Sequence, residues 1–98
     1  MVKKNLNLVS KVALVDDHIL LRKGLRELIN GFDKYEVLFE ADNGKDFISK
    51  LVIGKLPDIV LMDINMPKMD GYETTLWIKN NHPEIKVIAL RNLLCALA

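Results

Sequence analysis

The stretch "PDIVLMDINMPKMDGYE", Pro57–Glu73, decides the fold. Five residues, Asp58–Met62, form an apolar run after Pro57 and stop on Asp63. An uninterrupted apolar run of this length reads as a β-strand covered on both faces, which places it in a parallel sheet. Asp70 then supplies an N-cap for a helix through Asn80, with Glu73 three residues on in a capping-box position. The expected apolar side of that helix holds Tyr72, Leu76 and Ile78.

Working outward, the same alternation fills the chain. Lys11–Val15, "KVALV", is a short strand ending at Asp16-Asp17. Ile19–Asn30 places Leu21, Leu25, Leu28 and Ile29 on one helical stripe, and Gly31 stands where a helix-ending glycine belongs. Tyr35–Ala41 reads as a strand, and Asp42-Asn43-Gly44 as a turn. Lys45–Val52 is a short helix with Phe47, Ile48, Leu51 and Val52 inward, and Gly54 ends it. Pro83 separates the third helix from a last buried strand at Ile85–Leu90. The order β-α-β-α-β-α-β predicts an α/β, doubly wound parallel sheet with helices on both faces. Right-handed crossovers and a change of winding direction after the second strand give strand order 2-1-3-4. A crevice is then expected at the carboxyl ends of the first and third strands.

Composition sets the outer bounds. The 98 residues are 50% hydrophobic and 28% charged, with a net charge of +1, which reads as one globular domain and no more. The basic residues are dispersed, so a direct nucleic-acid footprint is not expected. No apolar run is long enough for a membrane span, and the single Cys95 fits a reducing compartment. A cytoplasmic location is the expectation. Residues 1–10 read as an N-terminal extension, 11–90 as the domain and 91–98 as an atypical tail.

The acids fall at the predicted crevice. Asp16 and Asp17 end the first strand and Asp63 ends the third. Three clustered carboxylates repel one another and call for a compensating cation; an oxygen-rich set of this kind suits Mg²⁺ or Mn²⁺.

"VALVDDH" (Val12–His18), "LPDIVLMDINMPKMDGYETT" (Leu56–Thr75) and "HPEIKVIAL" (His82–Leu90) together resemble a response-regulator receiver domain of two-component signalling. The flavour is similar to receivers that precede a helix-turn-helix output domain, and the fold implied is flavodoxin-like. The resemblance implies that Asp63 is the phosphoacceptor, taking a phosphoryl group from a sensor histidine kinase. It implies that Asp16 and Asp17 hold Mg²⁺ with Asp63, Asp17 the more directly, and that Asn65 lends its backbone carbonyl. Pro67 would stiffen the loop, and Gly71 would let the next helix approach closely.

The chain departs from the family after Leu90. Arg91 stands where a Ser or Thr normally senses phosphorylation, and an Arg cannot replace that small hydroxyl. Only Arg91–Ala98 follow Leu90, too few for a further crossover, strand and helix. The expectation is a domain without the usual fifth strand and last helices, its switching impaired. The fourth strand becomes an open edge that invites pairing, so a dimer or element-exchanged oligomer is expected.

Other readings stay open. An inert module acting only in interaction or oligomerisation is one. A metal-dependent phosphohydrolase is another, but its Asp-x-Asp pattern needs an acid where Asn65 stands. His18 could ligate a metal or donate a phosphoryl group; a solvent-facing place at a helix start is the expected one. His82 is expected in a loop, Trp77 partly buried in its helix, and Lys45 and Lys68 at the solvated surface.

Overall fold

In the computed structural model, which describes residues 9–51, 56–64 and 70–90, seven elements alternate in chain order. Strand β1 (Ser10–Val15) leads to helix α1 (Ile19–Asn30), and β2 (Tyr35–Ala41) to α2 (Gly44–Leu51). Strand β3 (Ile59–Met62) leads to α3 (Gly71–Asn81), and β4 (Lys86–Ala89) closes the series. The four strands are parallel in the order β2-β1-β3-β4. This is the doubly wound, flavodoxin-like arrangement that the sequence predicts. Strands β2 and β4 form the two edges of the described sheet.

The central strands are apolar over Val12–Val15 and Ile59–Met62 because both their faces are covered there. Alternate residues point to opposite faces. Ala13, Val15, Val60 and Met62 pack on one side with Phe47 and Leu51 of α2 and Ile78 of α3. Val12, Leu14 and Leu61 pack on the other with Leu25 and Ile29 of α1. Strand β2 joins both cores by an irregularity. Val12 pairs with Val37, but Ala13 pairs with Phe39, so Leu38 is passed over. That extra residue lets Val37 pack with the α1 core and Phe39 with the α2/α3 core, although they share a parity.

Three details differ from the sequence reading. On α1, Leu25 and Ile29 are buried, but Leu21 and Leu28 are exposed. Helix α1 packs over β1 and β2, so Leu28 only borders an apolar hollow of about 340 Å³ beside β3 and β4. On α3, Tyr72 (67% exposed) and Leu76 (62%) point outward; Gly71, Thr74 and Ile78 form the buried face. Thr74 can be buried because its hydroxyl donates to the Asp70 carbonyl at 2.8 Å, leaving that polar group satisfied. Gly31 ends α1 with φ −76° and ψ −17°, an ordinary right-handed conformation, so no left-handed turn calls for glycine there. Gly54 and Val52 lie outside the described residues.

The starts of α2 and α3 are set by side chains. Asn43 Oδ1 accepts from the Asp46 N–H at 2.9 Å, and Asp46 Oδ2 accepts from the Asp42 N–H at 3.0 Å. Asp70 is the N-cap of α3, and its Oδ1 accepts from the Glu73 N–H at 2.9 Å. Asp70→Ala should cost about 1 kcal/mol of stability, and Asp70→Asn very little, because asparagine caps as well. Urea unfolding of the two variants checks this; equal losses would contradict the capping role.

Candidate functional site

The carboxyl ends of β1 and β3 are neighbours, and the ladder continues past both strands. The Asp16 N–H donates to the Ala41 carbonyl at 3.1 Å, and the Asp63 N–H donates to the Val15 carbonyl at 2.9 Å. These two bonds fix the backbone of each acid to the strand beside it. Asp16, Asp17, His18 and Asp63 converge so that one donor atom from each lies within 4.8 Å of the others. The three acids predicted for the crevice are therefore brought together, and His18 joins them.

Each acid sits differently. Asp16 is 1% exposed. Its Oδ1 accepts from the His18 N–H at 2.9 Å, and its Oδ2 is buried with no hydrogen-bond partner. Asp17 and Asp63 are partly open to solvent. His18 Nδ1 stands 3.1 Å from Asp16 Oδ1, 3.2 Å from Asp17 Oδ1 and 4.0 Å from Asp63 Oδ2. The hydrogen bond to Asp16 and the charges of Asp16 and Asp17 hold the His18 imidazole above its ordinary value. His18 is mainly solvent-facing, at 72% side-chain exposure, yet its ring nitrogen turns toward the acids. A buried carboxylate oxygen with no partner is costly. That orphaned oxygen, and an oxygen-rich donor set at the expected crevice, fit a hard divalent cation.

Asp63 is also framed by the start of α3. The Gly71 N–H donates to the Ile64 carbonyl at 2.9 Å. A Cβ at Gly71 would lie 2.5 Å from the Asp63 carbonyl oxygen and 2.6 Å from the Ile64 Cα. The close approach expected of this glycine is therefore present, and only glycine permits it. Asn65 and Pro67 lie outside the described residues, as does Arg91.

The loop carrying Asp16 and Asp17 has a support that the sequence reading missed. Arg22, one turn into α1, donates from Nη1 to the Asp16 carbonyl at 2.6 Å and to Asp42 Oδ1 at 2.7 Å. Its Nε donates to Glu40 Oε1 at 2.8 Å, and Arg26 donates to Glu40 Oε2 at 2.8 Å. The signal was faint: Arg22 follows His18 by four residues, on the side of the helix that faces the loop. Burial pushes the Glu40 carboxyl up, and hydrogen bonds from Arg22 and Arg26 outweigh it, holding it below its ordinary value.

A depressed folded-state value means stability that is present above the unfolded value and lost as pH falls through the folded one. Glu40→Gln should therefore cost on the order of 2 kcal/mol near neutral pH, for two charge-assisted bonds. The difference from the parent chain should shrink toward pH 3. Urea unfolding at both pH values measures it; a pH-independent difference would contradict the ion-pair account.

An open, doubly wound parallel sheet with acids gathered at the carboxyl ends of two adjacent strands defines a class, the flavodoxin-like α/β domains that place their site at a topological switch point. Within that class, the chain belongs to the response-regulator receiver family: the family model described as "Response regulator receiver domain" matches residues 12–92. It is 41% identical over 80 residues to the response regulator GacA of Pseudomonas syringae, covering 82% of this chain and 37% of that protein. It is 45% identical over 74 residues to the transcriptional regulatory protein YdfI of Bacillus subtilis, covering 76% of this chain and 34% of that protein. Among solved structures it is similar to the response regulator protein TrrA from Thermotoga maritima, in complex with Mg(2+)-BeF. That match has a TM-score of 0.73 and 28% identity, covering 83% of this chain and 68% of the other. The chain spans a little over a third of the length of the curated relatives it matches. No helix among the described residues is long and apolar enough to cross a membrane.

Proposed function

We propose that this receiver is the phosphoacceptor module of a two-component response regulator and that Asp63 is the residue phosphorylated. The observation that carries the reading is the convergence of Asp63 with Asp16 and Asp17 at the carboxyl edge of the sheet. Asp63 follows a strand packed on both faces, and its backbone N–H is bonded to the Val15 carbonyl at 2.9 Å, so its backbone is held at the sheet edge. One Asp63 oxygen attacks the phosphorus of a phosphohistidine on a sensor histidine kinase. A P–O bond forms to the carboxylate, the P–N bond breaks, and the electron pair returns to the kinase imidazole. The product is an acyl phosphate on Asp63. The role is stoichiometric acceptance, without turnover of an external substrate, in the cytoplasm.

Asp16 and Asp17, with Asp63 and the Asn65 carbonyl, would hold Mg²⁺ or Mn²⁺. When bound, that ion supplies positive charge to offset the charge on the transferring phosphoryl oxygens. Asp16 holds its position because its backbone N–H and carbonyl are both engaged, by Ala41 and by Arg22. Gly71 keeps the start of α3 tight against the Asp63 backbone.

The solved relative that carries Mg(2+)-BeF supports this reading, since beryllofluoride imitates a phosphoryl group on a carboxylate. The test is calorimetric titration of the chain with beryllofluoride in the presence of Mg²⁺. One equivalent should bind the parent chain and none should bind Asp63→Asn. Equal binding by both would overturn the assignment of Asp63.

A further inference from the structure

One donor at the acidic site has no part in the phosphoryl chemistry. His18 precedes α1, contributes no side-chain cap to it, and is largely exposed. Its ring is nonetheless turned inward, with Nδ1 in hydrogen-bond contact with Asp16 Oδ1. Nδ1 lies 3.1, 3.2 and 4.0 Å from oxygens of Asp16, Asp17 and Asp63. A single ring nitrogen has one N–H or one lone pair, so it cannot satisfy three oxygens at once.

The spacing instead resembles the corners of a coordination sphere. With metal–donor bonds of about 2.1 Å, adjacent octahedral corners stand about 3.0 Å apart and opposite corners about 4.2 Å apart. The first two separations match adjacent corners, and the third is close to an opposite pair. An independent observation points the same way. The Asp16 side chain is 2% exposed, and its Oδ2 is buried with no partner, while Oδ1 is already engaged by the His18 N–H. A buried oxygen left in this state has capacity for a cation.

We propose that His18 Nδ1 is a fourth side-chain ligand at this site, which makes it accept borderline divalent ions of the Co²⁺, Ni²⁺ and Zn²⁺ class more tightly than Mg²⁺. The inference rests on the reading of the acidic cluster as a metal site. Mg²⁺ prefers oxygen donors and keeps its waters, so it gains little from an imidazole. Co²⁺, Ni²⁺ and Zn²⁺ bind imidazole well. His18 therefore sets which ion the site selects. Because Asp63 is one of the four side-chain donors, an ion held this way also engages the carboxylate that phosphoryl uptake requires.

The test titrates the full chain with Co²⁺ and, separately, with Mg²⁺. Calorimetry gives both affinities, and visible absorption reports nitrogen coordination to Co²⁺. In His18→Gln the backbone N–H that bonds Asp16 is kept. Co²⁺ affinity should fall about tenfold or more in this variant and its absorption band should shift, while Mg²⁺ affinity changes by less than about twofold. His18→Ala should behave as His18→Gln. Unchanged Co²⁺ affinity and spectrum in both variants would overturn the proposal. So would a parent chain that binds Co²⁺ no more tightly than Mg²⁺. If the parent chain binds neither ion, the metal-site reading falls as well. Mg²⁺ binding with a His18-independent Co²⁺ response overturns this inference alone.

Discussion

Gly71→Ala is expected to destabilise the domain by about 3 kcal/mol and to depress phosphoryl uptake together with stability. The added methyl group would meet the Asp63 carbonyl oxygen at 2.5 Å and the Ile64 Cα at 2.6 Å. Both atoms are backbone, so no side chain can swing aside. Helix α3 must withdraw from the end of β3, or the backbone after Met62 must move. Withdrawal weakens the Gly71 N–H to Ile64 carbonyl bond at 2.9 Å and loosens Ile78, which is fully buried against the sheet. Helix propensity alone would favour alanine by up to about 1 kcal/mol, so the expected sign runs against the intrinsic preference. That makes the substitution diagnostic. Urea unfolding gives the stability, and uptake from acetyl phosphate, measured where the variant is still folded, gives the functional part. A stability change under about 0.5 kcal/mol would show that the approach is not rigid.

The second large effect is chemical. Asp63→Asn should lose phosphoryl uptake by at least about a thousandfold while the domain remains folded. An amide oxygen cannot form the acyl phosphate, and the change also removes one of the three charges that gather the cation. Asp16→Asn and Asp17→Asn should act otherwise. They leave the acceptor intact and weaken Mg²⁺, so part of the lost uptake should return at higher Mg²⁺ concentration. Uptake measured across a Mg²⁺ series separates the acceptor from the ligands. A variant of Asp63 that is rescued by Mg²⁺ would contradict its role as the acceptor.

Much of this architecture was legible in the chain, for identifiable reasons. Strand β2 and helix α1 have the bounds expected of them because turn residues close each run. The strand order follows from buried, parallel strands and right-handed crossovers. The carboxylates were legible because each ends an apolar run, and a parallel sheet places such ends side by side. What failed was the inner face of α3. Hydropathy favours Tyr72 and Leu76, but helix position is set by Gly71 against the Asp63 backbone and by Thr74, whose hydroxyl is satisfied locally. Rotation of the helix to fit those two residues turns Tyr72 and Leu76 outward. In the sequence Arg22 is one of a dispersed set of cations. Its value comes from four acceptors contributed by Asp16, Glu40, Ala41 and Asp42, a constellation that exists only once β1 and β2 are paired.

The most direct measurement is the intact mass of the chain after incubation with acetyl phosphate and Mg²⁺, followed by peptide mapping. The account predicts the gain of one phosphoryl group per chain, located on Asp63 and absent from Asp63→Asn. No gain under conditions where Mg²⁺ binds, or a gain that survives in Asp63→Asn, would contradict it.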